Sequence, residues 1–241
     1  LNVSGRFGVW PATHGAWPKG SDELRAVLPA FKRDVGTVTW SDARAMTAPE
    51  TVLASYADAI TFRAPGQPGS LRRAQFGALH AIVGYQTSGL TDPAVVVMPT
   101  GTGKTETMLA WMVAVAPKRL LVLAPSVALR SQLADRFERL GVLHAQCVVS
   151  PTAMRPCVAR LEQSLDTFDQ VDDLVAKANV VVATPHVLQA FAPEVRERLL
   201  GSMTHLIVDE AHHGPARLWS DVIAAFHDRP VLLFTATPYR S

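Results

Sequence analysis

The chain has 241 residues, of which 48% are hydrophobic and 18% charged, and this composition is typical of a globular protein with one sizeable core. Its net charge of +2 is too small to indicate a nucleic-acid partner by itself, and its two cysteines exclude a disulfide framework or a four-cysteine zinc site. The longest uncharged apolar run, residues 108–116, is far shorter than the roughly 20 residues that span a bilayer, so we expect a cytoplasmic protein without a membrane partner.

Residues 1–62 differ in character from the remainder of the chain. Ser21 is a candidate cap for a short helix, and the capping-box pattern of residues 47–50 predicts a second helix. The Pro- and Gly-rich residues 64–70 read as a linker. We therefore interpret residues 1–62 as an N-terminal appendage of unknown role and residues 63–241 as the main domain.

From residue 71 onward, short apolar runs alternate with helical patterns. A helix is predicted over residues 71–85, and the runs that follow lie at 95–98, 120–124, 146–149, 180–183, 206–209 and 231–235. Such alternation implies right-handed crossovers and an α/β fold with a mostly parallel sheet that helices cover on both faces. Ligands of these sheets bind at the carboxyl ends of the strands, so any site is expected there.

The first run leads into a glycine-rich loop that suits a phosphate. Its glycines adopt positive φ cheaply, and the loop amides together with the next helix N-terminus converge on one place. Lys104 can reach the β- and γ-phosphates of a nucleotide, and the Thr105 hydroxyl can ligate Mg²⁺. Met98 stands where the strict pattern has glycine, but the order of strand, glycines, lysine and helix disfavours an ordinary turn. The predicted nucleotide-binding residues of the loop are Thr100, Gly101, Thr102, Gly103, Lys104 and Thr105.

The second run leads into a helix with an apolar face from Leu129 to Leu140, and Ser126 is its candidate N-cap. Thr184 holds the same place after the fourth run, with proline at the first helical position. Two such helix starts side by side can follow a phosphate backbone without reading its sequence, although ordinary capping explains them equally well. Arg130 adds charge to this edge or is an ordinary surface arginine.

The fifth run ends in the acidic pair Asp209 and Glu210. A carboxylate at a strand end beside a phosphate loop can hold Mg²⁺ through water, and a second one can orient and deprotonate the attacking water. A merely solvated pair is the alternative, which the shared sheet edge with Lys104 disfavours. His212 and His213 are adjacent and lack a zinc-binding spacing, so no zinc site is expected.

Six motifs occur in a recognisable order between residues 71 and 240. They are Gln75, MPTGTGKT (98–105), APSVALRSQ (124–132), ATPHVL (183–188), VDEAHH (208–213) and TATPYR (235–240). In this order they resemble the motifs of superfamily 2 helicases and, among these, the DEAH-type group that includes restriction-enzyme motor subunits. The resemblance covers the extent of one RecA-like domain, the first of two in such motors.

The resemblance implies a P-loop domain that binds Mg²⁺ and ATP and moves along or remodels nucleic acid, DNA in preference to RNA. It implies that Lys104, Asp209 and Glu210 are catalytic, that Thr105 and Asp209 hold the metal, and that Gln75 contacts the adenine edge. Where that group often has a proline and an aromatic residue before the glutamine, this chain has arginine and alanine. The residues implied in nucleic-acid contact or in coupling are Ser126, Arg130, Thr184, His212, Thr235 and Thr237.

A second RecA-like domain completes the ATP site in motors of this kind, and we expect it in the same parent chain. The present chain alone is therefore expected to be weakly active or inactive. Two alternatives stay open: an ATP-dependent switch or remodelling ATPase that does not translocate on nucleic acid, and a binding module whose turnover does not matter. ATPase activity that nucleic acid stimulates would distinguish the first interpretation from both.

Overall fold

The computed structural model describes residues 47–90, 92–210 and 216–237, with the backbone alone for residues 216–218. The described residues from Thr47 onward form one compact unit. The helix predicted after Ser21, together with His212 and His213, lies outside the described residues.

Six strands of the described chain form one sheet in which every neighbouring pair is parallel. The strands are β1 (Ala94–Val97), β2 (Leu120–Leu123), β3 (Val158–Arg160), β4 (Val180–Ala183), β5 (His205–Val208) and β6 (Val231–Thr235). Their order across the sheet is β1-β6-β5-β2-β4-β3. The central strands β2 and β4 are buried along their whole length, because helices pack on both of their faces. The predicted parallel α/β fold is confirmed.

The described helices are α1 (Pro49–Ala54), α2 (Arg73–Thr87), α3 (Lys104–Val115), α4 (Val127–Arg139), α5 (Phe168–Lys177), α6 (Pro185–Gln189), α7 (Pro193–Ser202) and α8 (Ala216–Ala224). Helices α1 to α4 pack on one face of the sheet, in a core that includes Val122 and Phe234. The other four pack on the opposite face, in a second core that includes Leu121 and Leu123. Among the described helices, none has the length and apolar character to cross a membrane.

The prediction of a third strand at residues 146–149 is wrong. These residues lie in turns, Cys147 has a φ of 55°, and Val149 forms only an isolated antiparallel bridge with Ile60. The third strand of the sheet is β3, which has only three residues and pairs on one side with β4. Because an edge strand is held by one ladder and is only partly buried, it needs no continuous apolar run.

The capping box predicted at Thr47 is also absent. Ala48 is the N-cap of α1 and no side chain caps this helix, while Pro49 occupies the first helical turn. Downstream of the helix start, Val52 and Tyr56 are buried in the core shared with α2, α3 and α4. The structural unit therefore begins at Thr47, before the boundary predicted at residue 62, because α1 contributes apolar side chains to the main core.

Candidate functional site

The glycine-rich loop links β1 to α3 at the carboxyl edge of the sheet. Gly101 and Gly103 have φ values of 81° and 94°, a region that side chains with a Cβ rarely adopt. A Cβ on Gly103 would lie 2.0 Å from Nε2 of Gln75, so a larger residue there would also displace the end of the Gln75 side chain. Lys104 is the first residue of α3, so the free amides of this helix start face the loop. This geometry is that of a phosphate site.

The acidic pair lies directly opposite this loop. Asp209 follows β5 and is held by its N–H group, which donates to the carbonyl of Leu123 at 2.9 Å. In Glu210, which has a φ of 51°, Oε1 accepts a hydrogen bond from Nζ of Lys104. The two side chains of this ion pair are 12% and 20% exposed, so solvent screens it only in part. The fold thus brings together all three residues predicted to be catalytic.

Asp209 has the properties of a metal anchor. Burial raises the pKa of its carboxyl to about 6, although the charge of Lys104 acts in the opposite direction. Its Oδ1 atom is buried and has no hydrogen-bond partner among the described residues. A desolvated carboxylate oxygen without a donor suits a hard cation, and Thr105 offers a hydroxyl from the first turn of α3. The residues present therefore fit a nucleotide bound with Mg²⁺.

The start of α2 lies against the phosphate loop. Gln75 is 6% exposed, and its Oε1 accepts from the N–H of Arg72 at 2.9 Å, while its Nε2 donates to the carbonyl of Gly103 at 3.4 Å. Arg72 donates from Nη1 to the carbonyl of Gly101, also at 3.4 Å. Gln75 therefore lies beside the site, and its contact with adenine stays a prediction. The sequence analysis did not identify Arg72. Its position immediately before α2, close in sequence to Gln75, could have indicated that it lies near the phosphate loop.

Strand β6 lies between β1 and β5 and ends beside the same loop. Thr235 is fully buried, and its carbonyl accepts from the N–H of Met98 at 2.9 Å. Its hydroxyl donates to the carbonyl of Thr237 at 2.9 Å, and Thr237 itself is exposed. These bonds join the entry of the phosphate loop to a surface residue. The predicted coupling role of Thr235 and Thr237 stays a prediction, and that of His212 concerns a residue outside the described ranges.

The two predicted helix starts lie next to each other, because β2 and β4 are adjacent. Ser126 caps α4 by accepting from the N–H of Leu129 at 3.3 Å, and it is exposed. Thr184 caps α6 by accepting from the N–H of Val187 at 3.4 Å, but its side chain is only 2% exposed. Both residues are caps in this structure, and their contact with nucleic acid stays a prediction.

The interpretation of Arg130 as a surface arginine is wrong. Its side chain is 4% exposed and bonds the loop after β3, at the carbonyl of Leu161 and the carboxylate of Glu162. Its guanidinium group points into the protein because the loop supplies both acceptors there. Direct contact between Arg130 and a nucleic-acid strand therefore has no support in the geometry.

Comparison with known proteins places these features in a family. The sequence profile described as "Type III restriction enzyme, res subunit" matches residues 69–240. The chain is 30% identical over 140 residues to the ATP-dependent rRNA helicase RRP3 of Candida albicans, an alignment of 55% of this chain and 22% of that protein. It is 30% identical over 146 residues to the RRP3 protein of Meyerozyma guilliermondii, with 57% and 26% covered. The chain thus spans about a quarter of the length of these curated relatives.

Solved structures share the architecture. A hypothetical ATP-dependent RNA helicase from Sulfolobus tokodaii superposes with a TM-score of 0.50 and 21% identity, over 78% of this chain and 50% of that one. The T4 protein UvsW gives a TM-score of 0.50 at 12% identity, over 89% and 40% of the two chains. At these identities the likeness is evidence for a common fold.

Proposed function

The chain belongs to the family of the type III restriction enzyme res subunit and forms the first RecA-like domain of a superfamily 2 helicase, and from this premise we propose that it binds and hydrolyses Mg-ATP as part of a nucleic-acid motor. The observation that carries the proposal is the meeting of Lys104, Asp209 and Glu210 at the phosphate loop. The lysine starts α3 and the two acids follow β5, so the fold itself assembles the site from separate elements.

Each of the site residues has a separate task in this proposal. The loop amides and Lys104 bind the phosphates, while Thr105 and Asp209 hold the metal ion. Mg-ATP, when bound, supplies the phosphoanhydride bond whose hydrolysis releases the free energy that the motor uses. Gln75 is the proposed contact of the adenine edge, and its bonds to the N–H of Arg72 and the carbonyl of Gly103 would connect an occupied base site to the phosphate loop.

Glu210 is the proposed general base. In the described structure its carboxylate pairs with Lys104, which fixes its position near the phosphate loop. An ionised carboxylate at this place can orient a water molecule and accept its proton. Asp209 is the less suitable base, because this proposal assigns its buried Oδ1 atom to the metal ion.

The carboxyl edge of strands β2 and β4 is the observation from which we propose a nucleic-acid partner. Ser126 and Thr184 start neighbouring helices there, and their free amides suit a phosphate backbone. The expected preference for DNA over RNA finds no support in the relatives, since the curated ones are named rRNA helicases. Tests should therefore use both kinds of strand. The second RecA-like domain is proposed as the partner that completes the ATP site.

A second candidate function is an ATP-dependent switch that does not translocate on nucleic acid. The observation that favours it is the burial of Thr184 and Arg130, which leaves Ser126 as the exposed residue of those three. The small net charge of +2 points in the same direction.

Calorimetric titration of the 241-residue chain with Mg-ATP tests the nucleotide site. Lys104→Ala removes a charge-assisted contact and is expected to weaken binding by about 1.5–3 kcal/mol. Lys118→Ala is the matched control, because Lys118 is exposed and follows the far end of α3. Equal affinities of the wild type and Lys104→Ala would refute the site.

The nucleic-acid claim needs a separate measurement. In a protein that includes the second domain, single-stranded DNA or RNA is expected to raise the ATPase rate. The variant Lys104→Ala is expected to abolish ATPase activity with or without the strand. An ATPase with equal rates in the presence and absence of both strands would favour the switch instead.

A further inference from the structure

Arg130 links α4 to the loop that follows β3. It lies one turn after Ser126 in α4, and its guanidinium group is directed away from solvent. Nη1 donates to the carbonyl of Leu161 at 3.1 Å, and Nη2 donates to Oε1 of Glu162 at 2.9 Å. A buried arginine that donates to a main-chain carbonyl restrains that backbone, because loss of the bond would leave a buried donor and acceptor unpaired.

The loop is held from two sides. The N–H of Leu161 donates to the carbonyl of Val182 in β4 at 2.9 Å, while its carbonyl accepts from Arg130. A second arginine makes the reverse connection, since Arg160 at the end of β3 donates to Asp135 and Glu138 of α4 at 2.6 and 3.0 Å. Helix α4 and the end of β3 are therefore joined by two arginines that point in opposite directions.

This loop belongs to the edge that carries the proposed nucleic-acid contacts. Strands β2, β4 and β3 are adjacent and parallel, so Ser126, Thr184 and the loop of residues 161–166 follow one another along the carboxyl edge of the sheet. Glu162 is 67% exposed in this row. An unpaired carboxylate here would repel a phosphate backbone, and Arg130 provides its counter-charge.

We propose that Arg130 is a positioning residue for the nucleic-acid-facing edge, which holds the loop of residues 161–166 in line with Ser126 and keeps the Glu162 carboxylate paired. This inference rests on the proposed nucleic-acid function. Arg130 itself does not touch the strand. Its removal should weaken binding of any sequence, since a displaced loop alters the path of the backbone and not the reading of bases.

A salt titration separates positioning from direct contact. The probe is a fluorescent single-stranded oligonucleotide, titrated by anisotropy with the 241-residue chain. The double variant Arg130→Met, Glu162→Gln keeps the net charge of the wild type, because it removes one charge of each sign, and methionine keeps the apolar stem. We expect about tenfold weaker binding with an unchanged salt dependence. A direct phosphate contact would instead lower the slope of log K against log salt by about 0.7 and would overturn the proposal.

The single variants Glu162→Gln, Arg130→Lys and Arg130→Met complete the comparison. Glu162→Gln alone should bind within about twofold of the wild type, because an exposed ion pair contributes little. Arg130→Lys retains the charge on a single nitrogen, without the fork that reaches both acceptors, and should bind with an affinity between those of the wild type and Arg130→Met. If Arg130→Met does not fold, the lysine variant still decides the matter, since wild-type affinity in it would refute a need for the fork of two donors.

Hydrogen exchange tests positioning without any ligand. Amides of residues 161–166 should exchange faster in Arg130→Met, while those of the central strand β2 should not change. Unchanged exchange in the loop would refute the positioning role, and faster exchange with wild-type oligonucleotide affinity would refute its link to the strand. If the wild type binds Mg-ATP but does not bind the oligonucleotide at low salt, the proposed nucleic-acid function is refuted. The positioning role of Arg130 at that edge is then refuted as well.

Discussion

At the scale of single residues, the ammonium group of Lys104 has two competing acceptors, the Glu210 carboxylate and a bound phosphate. Its ammonium group donates to Glu210 in the described structure, so a bound phosphate has to compete with that carboxylate. In the proposed mechanism, nucleotide binding and activation of the base are therefore linked through Lys104.

This competition leads to a prediction for Glu210→Gln. Loss of the carboxylate frees Lys104 and removes repulsion of the phosphates, so Mg-ATP should bind about fivefold tighter, the equivalent of about 1 kcal/mol. Turnover in the protein with its second domain should fall by about 10²–10⁴. Glu106→Gln is the control, because Glu106 lies in the first turn of the same helix but pairs with Arg136. Unaltered affinity in Glu210→Gln, measured by calorimetry, would show that the ion pair does not oppose nucleotide binding.

His205 is the second residue with a definite prediction. It starts β5, its ring meets that of Trp111 edge-on at 5.6 Å, and burial lowers its pKa from 6.5 to about 4. Because the unfolded chain binds this proton more readily, the contribution of His205 to stability is complete above pH 6.5 and is lost as the pH falls toward 4.

The shifted pKa of His205 lowers the free energy of unfolding at pH 5 by about 2 kcal/mol relative to neutral pH. His205→Phe keeps a ring beside Trp111 but cannot titrate, so its stability should fall less than that of the wild type between about pH 7 and pH 5. Urea denaturation at both pH values measures this difference. An equal loss of stability in the two proteins between these pH values would mean that His205 is already protonated in the folded state at pH 5.

At the scale of elements, the end of α4 depends on two residues in the left-handed region. Leu140 has a φ of 56° and Gly141 a φ of 53°, and the N–H of Gly141 donates to the carbonyl of Arg136 at 2.8 Å. A Cβ on Gly141 would lie 2.7 Å from Cδ1 of Leu109 in α3. The glycine thus allows α3 and α4 to approach each other.

Alanine substitutions of two glycines should have opposite effects. Gly141→Ala should lower the free energy of unfolding by about 1–2 kcal/mol, through left-handed strain and the clash with Leu109. Gly84→Ala should raise it by about 0.5–1 kcal/mol, because Gly84 lies inside α2 and a Cβ there would have nothing within 4 Å. Chemical denaturation measures both. Destabilisation by Gly84→Ala would show a packing role that the described residues do not explain.

The elements also show which parts of the structure the sequence specifies locally. The phosphate loop and the pair Asp209–Glu210 were predictable because each is a short stretch whose chemistry follows directly from adjacent residues. The burial of Arg130 was not, because arginine is normally exposed and its acceptor in Leu161 is 31 residues away. Strand β3 escaped prediction for a related reason, since its pairing with β4 defines it and its own side chains are only partly buried.

At the scale of the whole molecule, the strand order divides the proposed sites between two halves of the sheet. Strands β1, β6 and β5 end at the phosphate loop, Thr235 and Asp209, while β2, β4 and β3 end at the edge proposed for nucleic acid. The halves meet where the N–H of Asp209 donates to the carbonyl of Leu123 in β2. This bond joins the proposed metal-holding residue to the strand that precedes Ser126.

The same scale includes the segment of residues 47–62, which lies outside the family match at 69–240 but inside the structural unit. Asn179 holds it at the amino edge of the sheet, where its Nδ2 donates to the carbonyl of Pro49 at 2.9 Å and its Oδ1 accepts from the N–H of Cys157 at 3.0 Å. The N–H of Ser150 donates to the carbonyl of Ala59 at 2.6 Å. Both ends of this segment are thus bonded to the domain, at separate places.

A truncation series tests whether the segment belongs to the domain. Removal of Val52, Tyr56 and Ala59, which are 0%, 4% and 3% exposed, should remove on the order of 5 kcal/mol, comparable to the whole stability of many domains. A chain of residues 63–241 should therefore unfold at much lower urea concentration than one of residues 47–241, or fail to fold. Asn179→Ala in the longer chain should give an intermediate loss, because it removes only the bonds to Pro49 and Cys157. Equal urea midpoints for the two truncated chains would support the boundary predicted at residue 62.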